Sequence, residues 1–174
     1  MKKFFRFMKE TIVTVGLAII LSLVLRAYVV EGRVIPSGSM LPTIKIEDRV
    51  LVNKFVYDIS SPERGDIIVF SPPASLGAEY DFIKRVVGLP GETIEITDGT
   101  VYVNGQHLEE DYIEEKPNYC FGPVRVPDNA LFVLGDNRNK SFDSHAWGSW
   151  LTIDNVKGKA FLRYWPLDRF SMLP

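Results

Sequence analysis

Thr93-Ile94-Glu95-Ile96-Thr97-Asp98-Gly99-Thr100-Val101-Tyr102-Val103-Asn104-Gly105 is the stretch on which the fold turns. Apolar and polar side chains alternate over 93–97 and again over 100–103. Alternation with period two puts every second side chain on one face of a strand, so each run buries one face and wets the other. Asp98-Gly99 sits between the runs. A two-residue hairpin turn needs positive φ at both of its central residues, and Asp-Gly supplies that cheaply. Asn104-Gly105 then ends the second strand with another turn pair.

Working outward, the same signals recur. Upstream lie 81–87 (DFIKRVV), 66–71 (DIIVFS) and 49–55 (RVLVNKF); downstream lie 130–134 (ALFVL) and 159–164 (KAFLRY). Each is rich in β-branched or aromatic residues and bounded by turn formers, which reads as strand. No helical periodicity beyond a few turns appears after residue 31. Region 31–174 is therefore predicted to be mainly β. Two stretches read as loops. One is 71–80 (SPPASLGAEY); the other, 108–128, is acidic at first and then carries Pro117, Pro123 and Pro127. The second reads as a small excursion between two core strands.

The N-terminus differs in kind. Residues 11–25 (TIVTVGLAIILSLVL) are almost wholly apolar, Arg26 interrupts, and Ala27-Tyr28-Val29-Val30 resumes. Counted over 11–30, about 20 helical residues match the ~30 Å hydrocarbon core of a bilayer. Arg26 near the far end snorkels to the headgroups beside Tyr28. Lys2, Lys3, Arg6 and Lys9 precede the run, so the positive-inside rule places residues 1–10 in the cytoplasm and 31–174 outside. From Val29 onward there are 15 basic and 21 acidic residues, a balance of −6. A cleaved secretory signal is the competing reading, but no small-x-small site follows the apolar run.

The 174 residues, 46% hydrophobic, fit one domain plus this appendage. The acidic balance without a basic stripe argues against nucleic acid as a partner. One cysteine, Cys120, excludes an internal disulfide, and with only His107 and His145 it gives no basis for a metal site.

Ser39 stands out in Ile35-Pro36-Ser37-Gly38-Ser39-Met40-Leu41-Pro42-Thr43. On its own, a serine between Pro and Gly is an ordinary turn residue. Here Pro36 and Pro42 stiffen both flanks, and a rigid loop presents a nucleophile with little reorganisation. Ser37 is close enough in sequence to add a hydroxyl donor for an oxyanion beside the Ser39 N–H. A serine needs a base to take its proton. Lys84 is the candidate, since a buried lysine loses its charge and becomes a general base. Alternation places Phe82, Lys84 and Val86 on one face and Ile83, Arg85 and Val87 on the other; both cations have apolar companions, so periodicity leaves open which faces inward. A third polar cluster runs from Gly135 to Gly148 through Asp136, Arg138, Ser141 and Asp143. It fails as a calcium loop because Arg138 and Lys140 fall at liganding positions. His145 within it is an alternative base for Ser39.

Taken together these segments resemble the type I signal peptidases. The likeness rests on 36–43 (PSGSMLPT), 65–70 (GDIIVF), 81–92 (DFIKRVVGLPGE) and Gly135-Asp136-Asn137-Arg138 through Ser141, Asp143-Ser144 and Trp147-Gly148, all in order behind one apolar segment. It implies an antiparallel β-sheet catalytic domain with a small insertion, preceded by one transmembrane helix. It implies a dyad of Ser39 as nucleophile and Lys84 as general base. Ser37 would complete the oxyanion hole, and Ser141 would orient the lysine. Asp136, Arg138 and Asp143 would shape the site, with Arg85 and Asp136 as a supporting ion pair. Ile35, Met40, Ile44, Phe82 and Ile83 would line the substrate pockets. No metal or organic cofactor is implied. The implied partners are signal peptides of exported preproteins, membrane lipid around the anchor and the nearby export machinery. His145 departs from the arginine usual at its position, and Lys140 from a small polar residue. The short length and single anchor look more like the enzymes of Gram-positive bacteria. Two rival readings remain: a Ser–Lys autoprotease like the SOS-response repressors, and a catalytically silent tethered β-domain.

Overall fold

A computed structural model describes residues 2–174, apart from the side chains of residues 2, 5 and 24–28. The hairpin forms as its sequence dictates. Strands β5 (Thr93–Thr97) and β6 (Thr100–Val103) pair antiparallel, with Thr97 opposite Thr100. Asp98 and Gly99 have φ of 48° and 72°, as the two-residue turn requires. Ile94, Ile96, Val101 and Val103 are buried and pack with Val87, Phe132 and Leu134.

This hairpin belongs to a small four-stranded sheet of order β7-β6-β5-β8, where β7 is Gln106–His107 and β8 is Phe121–Arg125. The larger sheet is antiparallel and carries the rest. Its strands are β1 (Val30–Val34), β2 (Arg49–Asn53), β3 (Ile67–Phe70), β4 (Phe82–Gly88), β9 (Ala130–Leu134), β10 (Leu151–Thr152), β11 (Val156–Trp165) and β12 (Ser171–Met172). The order is β1-β2-β11-β3-β4-β9-β10, with β12 on β11. The chain leaves this sheet after β4, builds the small sheet, and returns at β9.

Segment 108–128 is not wholly loop. Phe121–Arg125 forms β8 on the outer edge of the small sheet, opposite Thr93, Ile94 and Ile96. Gly122 and Pro123 hide this strand from a pattern search. Proline is tolerated there because β8 pairs on one side only. The register shifts between Ile94 and Ile96, and a Cβ on Gly122 would collide with the Ile94 carbonyl. Its φ of 79° belongs to the same bulge.

Helix α1 spans Lys2–Tyr28 without a break at residue 10. Ile12, Leu17, Ile20, Leu21 and Leu23 are between 59% and 64% exposed, so among the described residues nothing packs over them. Among the described residues no helix is long and apolar enough to cross a membrane. The outer end of the segment expected over 11–30, with Arg26 and Tyr28, falls on side chains outside the described set. The helix also stops short of residue 30, because Val30 pairs with Asn53 and opens β1. Two short helices, α2 (Val56–Ile59) and α3 (Ser144–Trp147), complete the fold.

β4 lies inside the larger sheet and is buried at every position after Phe82. Ile83 joins the core of Ile35, Met40, Ile44 and Val69, while Phe82 and Val86 pack with Phe70, Leu131 and Trp147. Both faces are covered, so Lys84 and Arg85 are both buried. The inward-or-outward choice that alternation left open does not exist on this strand.

Candidate active site

The Ser39 loop is built by its apolar neighbours. Met40 and Ile44 are fully buried, and the Ile44 N–H donates to the Met40 carbonyl. This turn, pinned in the core beside Ile35, carries Ser39 towards β4. Lys84 Nζ lies 2.8 Å from Ser39 Oγ and 3.0 Å from the Ile83 carbonyl. Ser37 Oγ is 3.4 Å from Ser39 Oγ. Burial pushes the Lys84 ammonium down from an ordinary 10.5 to about 8. The Asp143 and Asp136 carboxylates and the Phe82 ring, 5.5 Å away, favour the charged form, but desolvation outweighs them.

The loop after β9 forms the other wall. Gly135 has no room for a Cβ, which would strike Ser141 Oγ and the Ser39 carbonyl. Glycine is what lets this loop close on the serine. Asp136 takes both Nε and Nη2 of Arg85, at 2.8 and 2.7 Å, and accepts from the Thr43 hydroxyl at 2.5 Å. Asp143 accepts the Gly135 N–H at 2.9 Å and lies 2.6 Å from His145 Nδ1. Ser141 Oγ is buried and, among the described residues, has no hydrogen-bond partner. It does not bond Lys84, whose amine is taken by Ser39 and Ile83. His145 contacts Asp143 rather than Ser39, and its ring stacks on Tyr119 at 3.9 Å. Arg138 is buried against Glu110, not against Asp136.

A cleft of about 510 Å³ opens over the pair, lined by Ser37, Ser39, Lys84, Tyr80, Phe82 and Phe142 among others. A second, of about 540 Å³, adjoins it and is lined by Arg33, Ile35, Val69, Asp81 and Ile83. The two share Pro36, Ser37 and residues 80–83. Phe82 and Ile83 line both, and Ile35 lines the second. Met40 and Ile44 line neither, since they are spent in holding the serine turn from below. β9 pairs with β4 only from Arg85 onward, so 82–84 have no ladder partner on that side.

Sequence reasoning passed over several residues. Asn137 donates its N–H to the Ser39 carbonyl (3.1 Å) and its side-chain amide to the Gly38 carbonyl (3.0 Å). Its place between Asp136 and Arg138 was the available signal. Tyr80 and Phe142, aromatics on loops and more than half exposed, were signals of the same kind. Glu110 and Tyr112 carried no local signal at all.

Fold and site describe a hydrolase with a serine and an amine in contact on a β scaffold. Residues 8–165 match the family model described as signal peptidase, peptidase S26. Signal peptidase I of Leptolyngbya laminosa is 49% identical over 169 residues, covering 94% of this chain and 83% of that protein. Probable signal peptidase I-1 of Synechocystis is 49% identical over 173 residues, covering 97% and 88%. A crystal structure of a signal peptidase I from Enterococcus faecalis aligns with a TM-score of 0.50 at 36% identity, over 58% of this chain and 97% of that one. The chain belongs to the signal peptidase family, peptidase S26, and is a serine endopeptidase.

Proposed function

We propose that this protein is a membrane-anchored endopeptidase that removes signal peptides from exported preproteins after small-x-small residues. Ser39 is the nucleophile and Lys84 the general base. The observation that carries this is the 2.8 Å contact between a buried amine and the serine hydroxyl, at the floor of an open cleft.

Neutral Lys84 takes the Ser39 proton as Oγ attacks the scissile carbonyl. The resulting oxyanion accepts from the Ser39 N–H and the Ser37 hydroxyl. Lys84, now an ammonium, returns the proton to the leaving amine as the C–N bond breaks. It then takes a proton from water as that water attacks the acyl ester, and passes it to Ser39 Oγ as the ester C–O bond breaks, which regenerates the serine hydroxyl and the neutral amine. The preprotein lies extended against the unpaired side of 82–84, as an added strand. Apolar walls from Ile35, Phe82 and Ile83 receive small side chains. Ser141, Asp136, Arg138, Arg85 and Asp143 hold the walls of the site.

The anchor is the apolar run 11–30, with residues 1–10 cytoplasmic and 31–174 outside near the export machinery. Its ring of exposed apolar side chains supports this, because water is a poor solvent for them. In sealed cells, protease added outside should digest the domain and spare an N-terminal tag.

The central test is processing of a preprotein by the full chain in detergent. Ser39→Ala should abolish cleavage and acylation by an active-site inhibitor, and a −1 Phe substrate should resist. Self-cleavage in place of preprotein cleavage would favour the autoprotease reading. Full activity in Ser39→Ala would end the dyad reading.

A further inference from the structure

We propose that residues 110–119, in the chain's excursion between β4 and β9, form a strap that positions the catalytic wall, with Tyr112 and Glu110 as its positioning residues. The inference rests on the Ser39–Lys84 reading above.

Several contacts tie the strap to the loop 135–145. Glu110 takes both guanidinium nitrogens of Arg138 at 2.6 Å, and the Glu110 and Arg138 side chains are 5% and 0% exposed. The Tyr112 ring meets two buried cations, Arg85 at 3.9 Å and Arg138 at 5.9 Å from its centroid. Its hydroxyl donates to Glu110 at 2.6 Å. Further along, Asn139 accepts the Asn118 N–H and donates to the Lys116 carbonyl. Tyr119 stacks flat on His145. A loop that merely joined two strands would not commit a buried carboxylate and two rings to one neighbour.

The strap acts through the residues it grips. Asp136 is fixed by Arg85, and Arg138 by Glu110 and by its own Nε on the Gly135 carbonyl at 3.1 Å. Asn137 sits between them. It is therefore held at both flanks while it donates to the Gly38 and Ser39 carbonyls. Tyr112 meets the arginines of both flanking pairs, so it joins them into one unit. At the far end, Tyr119 steadies His145, and His145 steadies Asp143, whose charge reaches Lys84. Loss of the strap should loosen Ser39 relative to Lys84 without touching either.

The test uses the full chain in detergent and a preprotein with Ala at −1. Tyr112→Phe keeps the ring against the guanidinium groups, and its kcat should stay within about two-fold of the parent. Tyr112→Leu removes the ring. Its kcat should fall about 30- to 100-fold, with KM changed less than about three-fold, because misplacement of a reacting group costs rate rather than binding. Hydrogen exchange at the Asn137 and Lys140 amides should quicken in Tyr112→Leu, with β9 amides unchanged. Glu110→Gln should act in the same direction, although an uncompensated buried Arg138 could stop it folding; Tyr112→Leu then decides. Parental kcat and parental Asn137 exchange in Tyr112→Leu would overturn the strap, as would a kcat loss matched by a loss of folded protein. The exchange measurement does not depend on chemistry, so it judges the strap even if Ser39→Ala proves active and the dyad fails.

Discussion

Lys84 and Arg85 are consecutive residues on one strand, equally removed from water, and their surroundings treat them in opposite ways. Arg85 meets a carboxylate on two bonds, a carbonyl of Gly65 and the face of Tyr112. Lys84 meets a hydroxyl and a carbonyl, with its nearest carboxylates acting only at a distance. Burial penalises both charges, but only Arg85 is offered a counterion at contact. An amine so placed gives up its proton easily, whereas a guanidinium cannot do so at all. One strand thus supplies a base from one face and a fixed charge from the other.

Exchanging the two chemistries should have the largest effect. Lys84→Arg should lose at least about 10³-fold in preprotein processing, as should Lys84→Ala, because neither offers a removable proton site. Appreciable cleavage by Lys84→Arg would mean that the base lies elsewhere. Next in size is the loss of the ion pair. Arg85→Met leaves the buried Asp136 without its counterion and with only the Thr43 hydroxyl as a side-chain partner, and should destabilise the domain by about 3–5 kcal/mol in denaturant unfolding. The double variant Arg85→Met with Asp136→Leu should recover most of that stability but not the activity, since the Thr43–Asp136 hydrogen bond and the Arg85–Tyr112 contact are lost as well. Recovery of activity would reduce the pair to a structural filler.

The lysine side predicts a stability gain. Below pH 8 Lys84 holds its proton in both folded and unfolded chains, and the folded state bears the full cost of burying it. Between about 8 and 10.5 the folded state has released the proton and the unfolded state has not, so this cost fades as pH rises. The drop from 10.5 to about 8 corresponds to about 3 kcal/mol. Lys84→Leu should therefore be more stable than the parent by that order at pH 7, with the gap closing by pH 10.5. An equal gap at both pH values would show that packing, not charge, sets the difference.

These two residues also mark where sequence reading succeeds and stops. The hairpin at 93–103 was legible because alternation and turn chemistry are local. So were β2, β3, β4, β9 and β11. The burial of both Lys84 and Arg85 was not, because it depends on what covers β4, which no short window contains. β8 was hidden by Gly122 and Pro123, which are tolerable only on a bulged edge. Met40 and Ile44 sit beside the nucleophile in sequence but below it in space, packed with Ile35 in the core rather than along either cleft, and only the tertiary packing shows this. Glu110 and Tyr112 are brought to the site from 28 and 26 positions before Arg138 by the small sheet, with nothing in their own neighbourhood to announce it.

The smallest effect belongs to His145, and it separates two kinds of serine protease. His145 Nδ1 is engaged by Asp143, and its ring is covered by Tyr119, so it supports a carboxylate instead of serving the serine. Its removal should cost only a few-fold in rate, about the size of a lost supporting hydrogen bond. The pH–rate profile of the parent should rise through about 8 as Lys84 becomes neutral. That rising limb should survive in His145→Ala, and the little activity left in Lys84→Ala should lack it. Asp143 raises the Lys84 value through its charge, so disturbing its partner should displace the limb slightly without erasing it. Measured across pH 6 to 10 on one preprotein, loss of the limb in His145→Ala alone would transfer the base from lysine to histidine.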